Sequence, residues 1–225
     1  MSTDDEMTRR VLHAMRTTGS NRYFTPDDVP DEVIDAAIEA ARFGPSGGNR
    51  QPVRWIVVRD RAVLAALASL YLPAWKRDMA MFLSGEMRTG ATLGPTLAAA
   101  DHLAEHYHEV PALLVACVWL KEMHAHMRAD DGSPNMLAGS SVYPIVENVC
   151  LALRAQGIGS IITTLICESE AEAAEILGLP DGVMTACYIP IGHPRDGFPT
   201  KLNRLPVDEL VCRDRYTLAA PGAVG

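Results

Sequence analysis

Apolar positions recur with helical spacing over residues 4–17, where Val11, Leu12 and Met15 share a face. They do so again from Asp31 to Phe43, through Val33, Ile34, Ala37, Ile38 and Ala41. Pro30 and Asp31 open that second helix, Glu32 sits in its first turn, and Gly44-Pro45 closes it. The period then changes. Trp55 to Val58 is a β-branched run bounded by Arg59-Asp60 and predicts a strand; residues 61–71 return to helix. Leu113 to Leu120 is apolar throughout, which predicts a strand buried on both faces. Val142 to Gln156 predicts a helix with Gly157 past its end, and Gly159 to Ile166 a third strand. Ser169 to Leu177 predicts a short helix whose Ser169 and Glu172 make a capping box. Met184 to Ile191 predicts a fourth strand, closed by Gly192-His193-Pro194. Two stretches break the pattern. Leu72 to His108 mixes Pro73, Gly85, Gly90, Gly94 and Pro95 with methionines and predicts helical pieces and loops suited to a mobile cover; residues 123–138 predict an exposed loop. The last thirty residues lose periodicity apart from an extended stretch near Leu210-Val211. With no repeat, low-complexity tract or linker, four strands separated by helices predict one α/β or α+β layered domain.

Composition narrows the functions. A chain of 225 residues that is 48% hydrophobic can bury a full core. Its net charge is -8 and its Lys and Arg residues form no cluster, which argues against a nucleic-acid groove. The five cysteines are odd in number, form no CxxC and lie mostly in apolar runs. That predicts reduced thiols in a cytoplasmic protein, not a disulfide frame or zinc site. MSTDDEMTRR has no apolar core and is not expected to be a signal peptide. The longest apolar run, near ALLVACVWL, falls far short of the ~20 residues of a membrane span.

Several motifs are tested and set aside. GIGSII at 157–162 lacks the third glycine of a dinucleotide fingerprint and runs helix, glycines, strand, where the fingerprint needs strand, glycines, helix. His102 and His106 are one helical turn apart, but no HExxH glutamate and no third ligand follows, so a pocket-lining helix is expected and no metal. Ser140-Ser141 precedes a helix without a GxSxG frame, and no catalytic residue is assigned. The stretch GPSGGNRQP, Gly44 to Pro52, is different because it is longer than a helix-to-strand turn needs. Gly47 and Gly48 permit positive φ and close backbone approach, while Ser46, Asn49 and Gln51 both donate and accept, which suits the rim of a flat heterocycle. Alone this is a polar loop. Its company changes the reading. Arg16, Thr17, Thr18, Ser20 and Arg22 upstream are suited to gripping phosphate, IITTL at 161–165 ends a strand, and Lys201 and Arg204 stand near the end.

In this order, from about residue 16 to about residue 210, these segments resemble the FMN-dependent nitroreductase family. The quoted matches are GSNRYF, then the run ending in FGPSGGNRQPVRWIVVRD, then ENVCLALRAQGIGSIITT, EILGLPDG and IPIGHP. The resemblance implies an α+β fold with a central, mostly antiparallel sheet flanked by helices, in an intertwined homodimer with two FMN molecules at its interface. It implies one domain over residues 1–225, with 72–108 covering the substrate and 195–225 as a C-terminal extension. Carried over by position, Ser20 and Arg22 grip the ribityl phosphate with Arg204, and Pro45, Ser46, Gly47 and Asn49 line the flavin. Thr163, Thr164 and Leu165 lie against another part of its ring system. Two leading arginines of the family's first motif are Thr18 and Gly19 here, and Arg16 is expected to compensate. The tryptophan that follows Gln-Pro in the family is Val53, and Trp55, two residues on and on the same strand face, is expected to replace its packing.

The implied activity is hydride transfer from NADPH or NADH through flavin N5 to a nitroaromatic or quinone-like acceptor, in ping-pong order. Two alternatives stand beside it. One is other flavin chemistry of the family, reductive dehalogenation or flavin cleavage, which the 72–108 segment would decide. The other is a flavin-binding or storage protein without turnover.

Overall fold

The computed structural model describes residues 3–84, 94–123 and 137–217. Its frame is a four-stranded sheet in the order β1-β2-β4-β3, with every neighbouring pair antiparallel. The strands are β1 (Val53–Val58), β2 (Ala112–Trp119), β3 (Gly159–Ser160) and β4 (Val183–Gly192). Among the described residues six α-helices surround it: α1 (Thr3–Thr17), α2 (Asp31–Ala41), α3 (Arg61–Leu83), α4 (Pro95–Glu105), α5 (Tyr143–Ala155) and α6 (Glu170–Leu177). This is the expected α+β architecture.

β2 is buried along almost its whole length because both sheet faces are covered. Ala112, Leu114, Ala116 and Val118 face a core built with α2 and α5. Leu113, Val115 and Cys117 alternate to the opposite face and meet Leu64, Leu67, Tyr71, Leu103 and Tyr107. Val53 and Trp55 both pack against the first core, so Trp55 shares the face as expected. Burial pushes the thiol of Cys117 up to about 12 and that of Cys150 up to about 11, and both stay protonated at neutral pH.

Four features differ from the sequence expectation. α3 continues through Pro73 to Leu83. Proline removes one helical donor, but tertiary contacts hold the helix on both sides of it: Tyr71 stacks on Tyr107 at 4.3 Å, and Trp75 Nε1 donates to Asp101 Oδ1 at 2.8 Å. The third strand is two residues long, although its register continues to a lone Thr163–Tyr188 bridge. The interruption falls opposite Pro190, which has no N–H to give. The Ser169 side chain caps nothing. The carboxylate of Glu170 instead accepts from Thr185 N at 2.7 Å, tying α6 to β4. No strand forms at Leu210-Val211; a short 3-10 turn spans Val207–Glu209. Most of residues 123–138 lie outside the described residues, as do 85–93 of the expected cover.

α2 and α5 approach closely at Gly44. A Cβ there would lie 2.7 Å from Ile145 Cγ1 and 3.1 Å from Ile145 Cα. Gly44→Ala is therefore expected to destabilise the fold by about 1–3 kcal/mol. In urea unfolding this should lower the midpoint at unchanged slope.

Candidate functional site

The segment 19–25 is stitched between β3 and the chain after β4. Asn21 N donates to Ser160 O at 2.9 Å, Thr25 N to His193 O at 2.9 Å, and Arg195 N to Tyr23 O at 3.0 Å. Ser20 bridges Ser160 in parallel, and Phe24 bridges Pro194 antiparallel. Arg154, near the end of α5, donates to Thr17 Oγ1 at 3.2 Å, and its guanidinium lies 3.8 Å from the ring centre of Phe198. Gly19 is covered by the C-terminal segment: a Cβ there would meet Pro199 Cγ at 2.9 Å and Leu202 Cδ2 at 3.1 Å. Arg204 follows Leu202 by two residues, so its backbone lies near the corner that holds Ser20. It is exposed, and its Nη1 rests on Asn203 O at 2.7 Å. Arg16 is exposed on the last turn of α1.

Arg22 is half-buried and makes no hydrogen bond or ion pair among the described residues. Burial lowers its pKa, with the Tyr71 and Tyr23 hydroxyls acting in the opposite sense. Burial likewise raises Tyr71 to about 12, so its phenol stays neutral. An unmatched cation of this kind favours an anion, since partial desolvation strengthens the attraction.

The 45–51 loop is held at the other end of α5. Gly47 N donates to Ser141 Oγ at 2.9 Å, Gln51 N to Ser46 Oγ at 3.1 Å, and Gln51 Nε2 to Asn49 Oδ1 at 3.1 Å. Gly48 has φ 62°, and Asn49 and Gln51 have φ 54° and 51°. Asparagine tolerates this left-handed region, whereas glutamine there is strained. The Ser46 hydroxyl hydrogen and the Asn49 amide hydrogens remain available to a ligand, and Pro45 is exposed beside them.

Thr163 does not have the role expected of its polar groups. Its N donates to Tyr188 O at 2.8 Å, its O accepts from Tyr188 N at 2.8 Å, and its Oγ1 donates to Tyr188 O at 2.9 Å. The Tyr107 hydroxyl, 3.2 Å away, is left to donate to Thr163 Oγ1. Thr163 is an anchor. Among the described residues the amides of Thr164 and Leu165 form no backbone hydrogen bond, and these lead into the 3-10 turn Leu165–Ser169 with their N–H groups free. Ser141 and Tyr107 were not singled out for these positioning roles, and no motif marks them.

The residues therefore fall into two groups. Arg16, Ser20, Arg22 and Arg204 gather at the C-terminal end of α5, with Thr163 to Leu165 along the adjacent sheet edge. Pro45, Ser46, Gly47 and Asn49 gather at the N-terminal end of α5. Its thirteen residues put those ends about 20 Å apart. One chain does not bring the two groups to a common point. Among the described residues no group of three or more His, Cys, Asp or Glu is placed to hold a metal, and no helix is long and apolar enough to cross a membrane.

The sequence profile of the Nitroreductase family matches residues 15–193. An Archaeoglobus fulgidus protein named "Putative NADH dehydrogenase/NAD(P)H nitroreductase" is 26% identical over 187 residues, covering 82% of this chain and 86% of that one. A crystal structure of oxidized iodotyrosine deiodinase bound to FMN and 3-iodo-L-tyrosine superposes with a TM-score of 0.69 at 20% identity, covering 92% and 100% of the two chains. The NADPH:FMN oxidoreductase from Vibrio harveyi complexed with NAD+ gives a TM-score of 0.69 at 18% identity, covering 94% of this chain and 80% of that one.

The strain in the 45–51 loop is testable by itself. Gln51→Gly removes the Cβ from a left-handed residue and is expected to stabilise the fold by about 1 kcal/mol. A higher thermal midpoint would confirm it; an unchanged or lower one would show that the Gln51 side chain holds the loop.

Proposed function

The chain belongs to the nitroreductase family, and from that premise we propose that it is an FMN-dependent oxidoreductase. It draws electrons from NADH or NADPH and delivers them to nitroaromatic or quinone-type acceptors in ping-pong order. The observation that carries this reading is the corner at the C-terminal end of α5: the exposed Ser20, the unmatched Arg22, and Arg204 entering behind Leu202. A phosphate complements that charge, and the donor-rich, left-handed 45–51 loop suits a flat heteroaromatic rim. Bound FMN would supply the hydride chemistry.

The chain's own residues bind and orient. Ser20, Arg22 and Arg204 hold the phosphate, with Arg16 reaching in from α1. Pro45, Ser46, Gly47 and Asn49 follow one edge of the ring system. The free amides of Thr164 and Leu165 face another part of it, while Thr163 fixes them to β4. No side chain is needed as acid or nucleophile. Donor and acceptor would share one place beside these residues, which is what an alternating order requires.

The site is completed by a second copy of the chain, whose 45–51 loop meets the first copy's 19–25 corner. The separation of about 20 Å along α5 supports this homodimer. So do the exposed apolar residues Met7, Val11 and Met15 of α1 and Leu205, Val207 and Leu210 of the C-terminal segment, each more than half accessible in the single chain. The fold is proposed as one domain over residues 1–225, with 72–108 as substrate cover and 195–225 as an extension that wraps the partner. The buried, protonated Cys117 and Cys150 support a cytoplasmic setting. The likeness to iodotyrosine deiodinase supports reductive dehalogenation as the second reading. A groove of about 220 Å³ between α3 and α4 would offer its acceptor an apolar wall of Leu72, Trp75 and Met79, with Lys76, Asp101 and Glu105 at the rim.

The purified protein is expected to keep a flavin absorption band through desalting, to bleach it with NAD(P)H, and to recover it with a nitroaromatic or quinone. Parallel double-reciprocal plots would establish the order. Ser20→Ala and Arg204→Ala are each expected to weaken FMN binding by about tenfold, the equivalent of one charge-assisted hydrogen bond. A protein that binds no flavin even with FMN added in excess would refute the reading.

A further inference from the structure

A second cavity, of about 210 Å³, opens between residues 22–26 and α4. Its walls differ in kind. Phe24, Leu103 and Val110 form an apolar side, Arg22, His102 and His106 a basic one, and Glu109 stands with them in the lining. We propose that this cavity binds a small apolar monocarboxylate, held by Arg22 and by a proton that His102 takes up as the ligand enters.

Arg22 is the permanent charge. It has no counter-ion in the described structure and lines both this cavity and a smaller one, of about 100 Å³, beside Ser20 and Gly197. A guanidinium has donors on two edges, so it can serve a ligand here while facing the Ser20 corner with the other edge. The histidines form a column. The His102 and His106 rings stack at 4.2 Å, Tyr23 covers the other face of His102 at 4.4 Å, and Arg195 lies 4.1 Å above Tyr23. His106 Nδ1 is 2.8 Å from His102 O, so that nitrogen carries hydrogen and Nε2 is the ring's remaining polar atom. Face-to-face rings do not converge their lone pairs, which suits this pair poorly to a shared metal ion.

The groups facing His102 are Arg22 and Tyr23 from the 19–25 segment, Arg195 from the turn after β4, Glu105 and His106 from α4, and Glu109. Burial lowers the His102 pKa first, then His106 and Arg195 lower it further, against the opposing pull of Glu109 and Glu105. An incoming carboxylate reverses that balance. The free site is then mostly neutral at His102 near pH 7, the bound site favours the imidazolium, and affinity rises as pH falls. The apolar wall and Glu109 both disfavour a phosphate dianion, which fixes the ligand as a carboxylate on an apolar body.

The test uses FMN-saturated protein and the histidine ring resonances in ¹H–¹³C NMR, titrated with benzoate, its neutral isostere benzamide, and inorganic phosphate. Benzoate is expected to shift two coupled imidazoles with saturation, and His102→Gln identifies one of them. Its affinity should rise between about pH 7.5 and about pH 6 by no more than about tenfold per unit for each proton taken up. Benzamide and phosphate should bind at least about tenfold more weakly, as expected when a charged contact is lost or a like charge is met. His102→Gln should flatten the pH dependence, and Arg22→Gln should weaken benzoate throughout. Equal binding of benzamide, preference for phosphate, or a pH-independent affinity in the unaltered protein would overturn the proposal. So would a benzoate response seen only without FMN, because the cavity would then belong to the cofactor. None of these readouts requires turnover, so the carboxylate site and the oxidoreductase reading stand or fall separately.

Discussion

The burial of α5 against the sheet is the constraint on which the rest depends. Ile145, Val146, Val149 and Leu153 lie against Leu114, Ala116, Cys187 and Ile189 in one continuous core. Removing four such side chains from water contributes about 6–12 kcal/mol before conformational entropy is counted. That helix then acts as a rigid spacer. The 3-10 turn that leads into it fixes the Gly47 amide through Ser141, and its last turn fixes Thr17 and Phe198 through Arg154. The 45–51 loop and the end of α1 are set by these two ends, while Thr163 and the 19–25 segment are held by the sheet and the chain after it; the close contact at Gly44 sets how near α2 can come.

Backbone strain is placed with the same economy. Gly48, Asn49 and Gln51 hold left-handed conformations within four residues, and the hydrogen bonds of Ser46, Asn49 and Ser141 maintain them. A relaxed loop would give a more stable fold but would not present its free hydroxyl and amide groups in a fixed array. Strain held by surrounding hydrogen bonds is a form of preorganisation. The 19–25 corner differs. It is built from unstrained extended pairing beside an unmatched charge, Arg22.

Much of this is legible in the sequence, and the failures have physical causes. Periodicity locates α2, α5, β2 and β4 to within about two residues, because each is a long run with one or two buried faces. Composition misled at Pro73, where stacking of Tyr71 on Tyr107 outweighs a lost helical donor. It misled again at Ile161, because the residue that breaks the strand is Pro190, on a different strand. The capping box expected of Ser169 and Glu172 did not form: the Ser169 side chain makes no cap hydrogen bond, and α6 is tied to β4 instead through Glu170 and Thr185 N. Ser20, Arg22, Ser46 and Asn49 entered the candidate site through the resemblance to a family motif. Ser141 and Tyr107 were not, since a single hydroxyl aimed at a backbone or side-chain partner far along the chain leaves no local pattern.

The covering of Gly19 by Pro199 and Leu202 has a consequence for biosynthesis. The corner that holds Ser20 joins positions 176 apart in sequence, as the Asn21–Gly197 hydrogen bond records. A ribosome makes the N-terminal partner first and the C-terminal partner last, and domains assemble as their contacts become available. The sheet can form once β4 has emerged, but the Ser20 corner has no second wall until the following segment is made. The nascent chain thus passes through a stage with a finished core and an open Ser20 corner, which closes only once residues 197–202 have been made.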